Sequence, residues 1–586
     1  MLRFVPNAIM KSCWRHAKYF RLGKLQQLLR NKLPCTLILT SRSKSYYITT
    51  PIFYVNSVPH IGHLYTATIA DAACRWQKLK YPVNTSQPKL VSGTDEHGTK
   101  VMQAAVAKQE NPKRYCDDLA QKFKDMMKLF DVQYHDFIRT TDERHKVAVE
   151  NFWNTIHANG YIYKGNYEGW YSTSDETFVN DLDVEQVIDR DSGEACHIFK
   201  DTGRMVEWTK ETNYMFKLSE LVEQVKAWVH ENPNSIYPPK MRKLVLDTLD
   251  RPVGDLSVSR ERTRVPWGIQ VPNDPSQTIY VWMDALVNYL TAAGYPEVDN
   301  DIFKDMWPAD CHIVGMDIVK FHAIYWPAFL IAAGLELPKQ IVVHSHWTVN
   351  NFKMSKSVGN VVDPFDMAKK VTPMGLRYFL LRQGVIEYNC DYKEEMVYAV
   401  LNADLANDLG NCLNRAVAKH LNPEQVYPPF HQEIFSSNPN YVSSFVASKK
   451  EFEFIDLVRN LPGIANNHAL EFHFYNAIGE IMNVVRKANV IIHRNQLWTL
   501  DKSVPDQLRF LQTLLHCVYE GLRVSGILLQ PFIPELAEML LNKLSIPRQK
   551  RNMVDADRSF LEHDGKVEPL VGNPLAFDKK VLYKRL

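Results

Sequence analysis

Two histidines three residues apart, His60 and His63 in "NSVPHIGHLYTATIAD", and two lysines three apart, Lys353 and Lys356 in "NNFKMSKSVGN", are the residues whose type and spacing can do chemistry. Imidazoles at a helix N-terminus sit among unpaired N–H groups and the positive end of the helix dipole, a setting that suits phosphate. Zinc competes for the first pair, and a lone H-x-x-H does not decide between phosphate, metal and bland surface histidines. Lysines in a loop stabilise charge that develops on a triphosphate only as its bond breaks, which is where catalysis gains most. A solvated basic loop is the plain alternative for that pentapeptide. The joint occurrence, each pair after an apolar strand, favours ATP phosphates held between histidines and lysines.

Such groups need a scaffold. "YYITTPIFYV" reads as a buried strand, Asn56-Ser57 as a turn and cap, and Pro59 as the first helical residue, which puts both imidazoles on one helix face. From 45 to 165 short apolar strands alternate with amphipathic helices such as the one through "NPKRYCDDLAQKFKDMMKLF", a pattern of doubly wound parallel sheets. Residues 166–215 turn polar and turn-rich and read as an inserted excursion. Alternation resumes over 216–345 with "QTIYVWMDALVNYL", "CHIVGMDIVKFHAIYWPAFLIAAGL" and "KQIVVHSHWTV"; 346–395 carries the lysine loop. Over 396–586 strands vanish and long helical patterns predict a bundle. The fold expected is α/β, with a small insertion and a following all-α domain.

At 586 residues the chain is too long for one core. Residues 1–44 hold ten Lys or Arg and no acid, the first acid being Asp71, and read as a mitochondrial transit peptide rather than a plain basic arm or an RNA-binding one. Without it, 59 of the 69 basic residues face 66 acidic ones, near −7, so a polyanion must be held by local basic patches. Nine scattered cysteines form no C-x-x-C, which excludes a redox motif or a cysteine knuckle and points to a reducing compartment. No apolar run is long enough to span a membrane, so no membrane partner is expected.

With H-I-G-H and K-M-S-K-S both unsubstituted, the sequence resembles the class I aminoacyl-tRNA synthetases, and within them the methionyl-tRNA synthetases of the mitochondrial, bacterial-like kind. "TTPIFYVN", "GTDEHGTK", "YVWMDALVNY" and "VGMDIVKFHAIYWPA" carry the finer resemblance from Tyr46 onward. It implies a Rossmann-like catalytic domain, an anticodon-binding bundle, and ligation of L-methionine to tRNA(Met) through an adenylate, with ATP and magnesium, in the mitochondrial matrix. For methionine it implies Ile52, Tyr54, Asp95 as the partner of the ammonium, Trp282, Ala285, Leu286, Tyr289, Ile318 and His322. A linear thioether wants such an apolar, aromatic slot with a carboxylate at one end; core aromatics are the bland reading of Trp282, Tyr289 and Phe321. For ATP it implies His60, Gly62, His63, Gly315, Asp317, Lys353 and Lys356. Asn411, Arg415 and Trp498 match anticodon readers, a ring to stack an unpaired base and an amide and guanidinium for base edges.

Where many relatives carry zinc knuckles, this chain reads "GWYSTSDETF" with Ser172 and Asp175, and Cys196-His197 cannot close a tetrahedral site, so no zinc is expected. A C-terminal extension is not expected either, and the expected state is a monomer. Three other functions compete. Synthetases for leucine, isoleucine or valine insert a large editing domain, whereas this insertion is about fifty residues. A small-molecule nucleotidyltransferase has no use for the helical half. A decayed RNA-binding paralogue sits poorly with intact His60, His63, Asp95, Lys353 and Lys356.

Overall fold

The computed structural model describes residues 44–81, 86–172, 177–179, 181–188, 195–200, 203–355, 359–435, 445–557, 570–576 and 580–586. The expected presequence, Lys44 apart, and Lys356 lie outside them.

Seven short strands make one parallel sheet: β1 (Tyr47–Thr49), β2 (Phe53–Tyr54), β3 (Lys89–Asp95), β4 (Asp136–Arg139), β5 (Ile236–Tyr237), β6 (Cys311–Gly315) and β7 (Ile341–His344). Their order is β5-β7-β6-β1-β3-β4, with β2 continuing β1 along the same edge of β3, where Phe53 and Tyr54 pair with Thr94 and Asp95. The chain runs one way through β1, β3 and β4 and the other way through β6 and β7. The topology therefore reverses between β1 and β6, where open sheets of this type leave a crevice at the carboxyl ends of the strands.

Both faces of the sheet are buried, which is why its strands read as apolar runs and not as alternation. Ile48, Leu90, Ile313 and Val342 face one core and Tyr47, Val91, Val314 and Val343 the other. The first core is covered by α1 (Ile61–Lys80) and the second by α2 (Val281–Ala293) together with the helix Glu143–Ala158. The strand read from "QTIYV" does not join this sheet. Asp274–Ile279 pairs antiparallel with Ser259–Glu261 and Gln270–Val271, and β5, only two residues long, completes the parallel sheet instead.

The polar stretch after the first half is a β-ribbon. Ile162–Ser172 runs antiparallel to Glu207–Phe216, from Ile162 opposite Phe216 to Tyr171 opposite Glu207, and a smaller hairpin, Val184–Ile188 with Ala195–Phe199, rides on it. Along Glu207–Phe216 the buried, inward positions Thr209, Glu211 and Asn213 are polar while Trp208 is exposed, so the two-residue period of burial does not show as a period of hydrophobicity.

After α3 (Pro373–Gln383) and the short strand Cys390–Tyr392, which pairs with Trp347–Val349, the regular structure is helical, with α4 (Lys449–Leu470), α5 (Phe474–Arg494) and α6 (Pro505–Leu529) packed in sequence. Two patterns that read as continuous helices are interrupted. The first passes from Glu394–Val400 through a wide π-type stretch, Leu401–Gly410, into Asn411–Ala416. The second stops at Leu529 because Pro531 and Pro534 remove backbone donors, and restarts as Pro534–Lys543.

Arg377 of α3 ties these parts together. Fully buried, it pairs with Asp71 of α1 and donates to the carbonyls of Phe532 at 2.8 Å, Pro531 at 2.8 Å and Phe130 at 3.2 Å. Every polar contact of that guanidinium is thus met inside the protein, the condition under which a buried charge is tolerated. The described residues, from Lys44 onward, belong to one compact unit. No helix among the described residues is long and apolar enough to cross a membrane.

Candidate active site

A cleft of about 450 Å³ opens at the topological switch. The carboxyl ends of the strands supply its floor: Ile52 and Tyr54 around β2, Asp95 closing β3, Gly315 closing β6 and His344 closing β7. The N-terminus of α1 supplies one wall and α2 the other, so residues far apart in the chain converge.

The two histidines are arranged differently from the expected cap. Helix α1 begins at Ile61, and the capping residue is His60 in an extended conformation (φ −131°, ψ 174°), not Ser57. The Gly62 N–H donates to His60 Nδ1 at 3.0 Å, and the His60 N–H donates to His63 Nδ1 at 3.1 Å. Each imidazole therefore spends Nδ1 as an acceptor, which leaves the proton on Nε2 and makes each ring a fixed N–H donor. The rings lie 3.8 Å apart, and Phe53 and Phe123 meet His63 edge-on at 5.4 and 5.3 Å. Burial, with His60 as a second cause, holds the His63 pKa well below its ordinary value, so the ring stays neutral. Gly62 matters sterically, since a Cβ there would stand 2.8 Å from His60 Cε1.

Along α2, Trp282, Ala285, Leu286 and Tyr289 face the cleft because they share a helical stripe. Trp282 stacks on Phe321 with centroids 3.8 Å apart and planes 7° from parallel. Deeper in, the Tyr289 hydroxyl donates to His322 Nε2 at 2.7 Å while His322 Nδ1 donates to the Ile318 carbonyl at 2.9 Å, which settles the tautomer. Burial lowers the His322 pKa to about 4 and raises that of Tyr289, so this wall carries hydroxyl and imidazole groups with no charge.

At the other end Asp317 follows β6. Its Oδ2 accepts Lys353 Nζ at 2.5 Å and His346 Nε2 at 3.0 Å. Desolvation would push this carboxyl up, but His346 and Lys353 outweigh it and hold it well below the usual carboxylate range. The first loop lysine thus reaches the cleft mouth. Met354 lines the same opening.

Every residue expected for methionine or ATP that the structure describes lines this one cleft. Asn411, Arg415 and Trp498 do not. They lie in the helical half, solvent-exposed, with Trp498 46% exposed and edge-on to His493 at 5.7 Å. Reading the sequence missed Lys100, Asn288, His344 and His346, which also line the cleft. The signal for the last two was present: "HSH" follows directly on an apolar strand, and ligands gather at the carboxyl ends of parallel strands. In the insertion, Cys196 lies on a ribbon strand and the His197 ring packs on Trp170 at 4.2 Å. No group of three His, Cys, Asp or Glu positioned for a metal occurs among the described residues.

A sequence model described as tRNA synthetases class I (M) matches residues 46–417. The mitochondrial methionine–tRNA ligase of Mus musculus is 45% identical over 542 residues, covering 92% of this chain and 91% of that one. Its Homo sapiens counterpart is also 45% identical, over 92% and 90%. Among solved structures, Mycobacterium tuberculosis methionyl-tRNA synthetase in complex with methionyl-adenylate superposes with a TM-score of 0.83 at 33% identity, covering 92% of this chain and all of that one.

Proposed function

We propose, from the premise that this chain belongs to the class I tRNA synthetase family of the methionine type, that it ligates L-methionine to tRNA(Met) through a methionyl-adenylate. The observation that carries this reading is the single cleft that joins a charge-free thioether-sized slot, with Asp95 at its rim, to two imidazole N–H donors and a loop lysine. The methionine carboxylate attacks the α-phosphorus of ATP and pyrophosphate leaves. A hydroxyl of the 3′-terminal ribose of the tRNA then attacks the acyl carbon, the acyl–phosphate bond breaks and AMP leaves with the methionyl ester formed.

No base or nucleophile from the protein is needed, so rate comes from positioning and charge stabilisation. His60 and His63 give neutral N–H donors at the positive end of α1, and Lys353 and Lys356 add charge from the loop. Asp95 takes the substrate ammonium, while Ile52, Tyr54, Trp282, Ala285, Leu286, Tyr289, Ile318 and His322 enclose the side chain. Gly62, Gly315 and Asp317 border the nucleotide. Asn411, Arg415 and Trp498 read the anticodon.

The residues present do not make a protein cage for magnesium: among the described residues no three carboxylates or histidines converge, and Asp317 is engaged by Lys353 and His346. Magnesium enters as part of the ATP substrate, on its phosphates. No structural zinc is proposed for the insertion. The mitochondrial naming of the relatives supports a mitochondrial address for this chain, and the basic, acid-free leader supports delivery to the matrix. A monomer is the proposed state.

ATP–pyrophosphate exchange measured with each amino acid in turn tests the reading. Exchange should require methionine. Exchange driven equally well by leucine, isoleucine or valine, or none with any amino acid, would overturn it.

A further inference from the structure

A carboxylate beside a triphosphate is a liability, because like charges repel over such distances. Asp317 nevertheless stands at the nucleotide end of the cleft, and two nitrogen donors meet it on one oxygen: Lys353 Nζ at 2.5 Å and His346 Nε2 at 3.0 Å. Asp317 can accept from the ribose hydroxyls of a nucleotide or from its adenine amino group; two neighbouring hydroxyls that can reach one carboxylate make the sugar the better match, and the carboxylate's orientation decides whether that bond forms.

His346 is held where it can set that orientation. Its N–H donates to Asn389 Oδ1 at 3.1 Å and its carbonyl accepts the Cys390 N–H at 2.9 Å, so the main chain is clamped on both sides. Lys353 stands on the short strand Phe352–Lys353, where its main chain pairs with Thr348, but its long side chain is 62% exposed against 22% for His346. The imidazole is therefore the rigid partner of Asp317 and the lysine the exchangeable one.

We propose that His346 is a positioning residue for the nucleotide: it holds the Asp317 carboxylate so that the oxygen on which Lys353 docks accepts from the ribose when the lysine turns to the ATP phosphates. The inference rests on the methionine-activating reading of the cleft and adds a residue that the signature motifs do not contain.

The test is methionine-dependent ATP–pyrophosphate exchange in the full chain, with ATP varied at saturating methionine and the reverse. H346F should raise KM for ATP roughly three- to thirtyfold, the range for a lost bond to a charged group near solvent, while KM for methionine and the thermal midpoint stay put. H346Q, which keeps an N–H donor at similar reach, should recover most of the loss. In a D317N background H346F should add less than about twofold, because the group it positions is gone. An unchanged KM for ATP in H346F, a full effect that persists in D317N, or a parallel rise in both KM values with a lowered midpoint would overturn the proposal. A wild-type protein without methionine-dependent exchange would remove the underlying reading and this inference with it, whereas an active wild type with an indifferent H346F removes only the inference.

Discussion

Replacing Gly62 by alanine should leave stability close to that of the parent while lowering activity, because the helix-propensity gain and the lost cap are of similar size. The site is helical, at the second position of α1, and alanine is preferred to glycine within a helix by up to about 1 kcal/mol. A Cβ added there would stand 2.8 Å from His60 Cε1 and 2.9 Å from Nδ1, against 3.7 Å for its next contact, Met354 Cε. Carbon atoms at rest keep roughly 3.5–4.0 Å, so the imidazole must move by most of an ångström. Doing so breaks the 3.0 Å bond from the Gly62 N–H and the 3.8 Å ring contact with His63. A displacement of that size in a positioning group can cost about a hundredfold in rate. The expected outcome for Gly62→Ala is a loss of roughly ten- to a hundredfold in kcat for ATP–pyrophosphate exchange, with an unfolding midpoint within a few degrees of the parent's. Wild-type exchange in the variant would refute the claim that His60 acts from its capping position, and a protein that loses activity only by unfolding would refute the steric argument.

The remaining expectations concern the bundle, the buried histidines and the insertion. Trp498→Ala should lower tRNA-dependent charging about five- to a hundredfold, the worth of a base-stacking platform of roughly 1–3 kcal/mol, with Arg415→Ala similar, and leave exchange untouched; assays that fall together in folded protein would contradict this. His322 and His344 have their pKa lowered by burial from 6.5 to about 4, so an unfolded chain takes up protons below pH 6.5 that the folded chain refuses. Stability should therefore fall as pH drops from 6.5 towards 4, by roughly 2 kcal/mol per histidine at pH 5; equal urea midpoints at pH 7 and 5, or an unchanged slope in His344→Gln, would speak against it. Prolonged chelation should leave fold and exchange intact once magnesium is restored, and stoichiometric zinc in the purified protein would defeat that expectation.

Sequence by itself determined what depends on neighbours along the chain. Runs such as "YYITT" and "CHIVG" read as buried strands because aromatic and β-branched residues dominate them and no Asp, Glu, Lys or Arg interrupts them, the leader is basic and acid-free whatever it folds into, and His60 and His63 share a helix end through spacing alone. It also located Trp282, Ala285, Leu286 and Tyr289 on one stripe, since a helix repeats every 3.6 residues. Tertiary structure decided what depends on distant parts. The helix begins two residues later than its proline suggested because a histidine ring, folded back over Gly62, caps it better than Ser57 could. Two-residue β5 exists only because β7 pairs with it, and no local preference would pick Ile236 and Tyr237 from their surroundings. The crevice itself comes from the reversal of strand order between β1 and β6, which brings Asp95, Gly315, His344 and the α1 N-terminus together across up to 284 residues of chain. His346 meets Asp317 for the same reason: strand pairing across the sheet sets which side chains face one another, and that pairing is written in no single stretch of sequence.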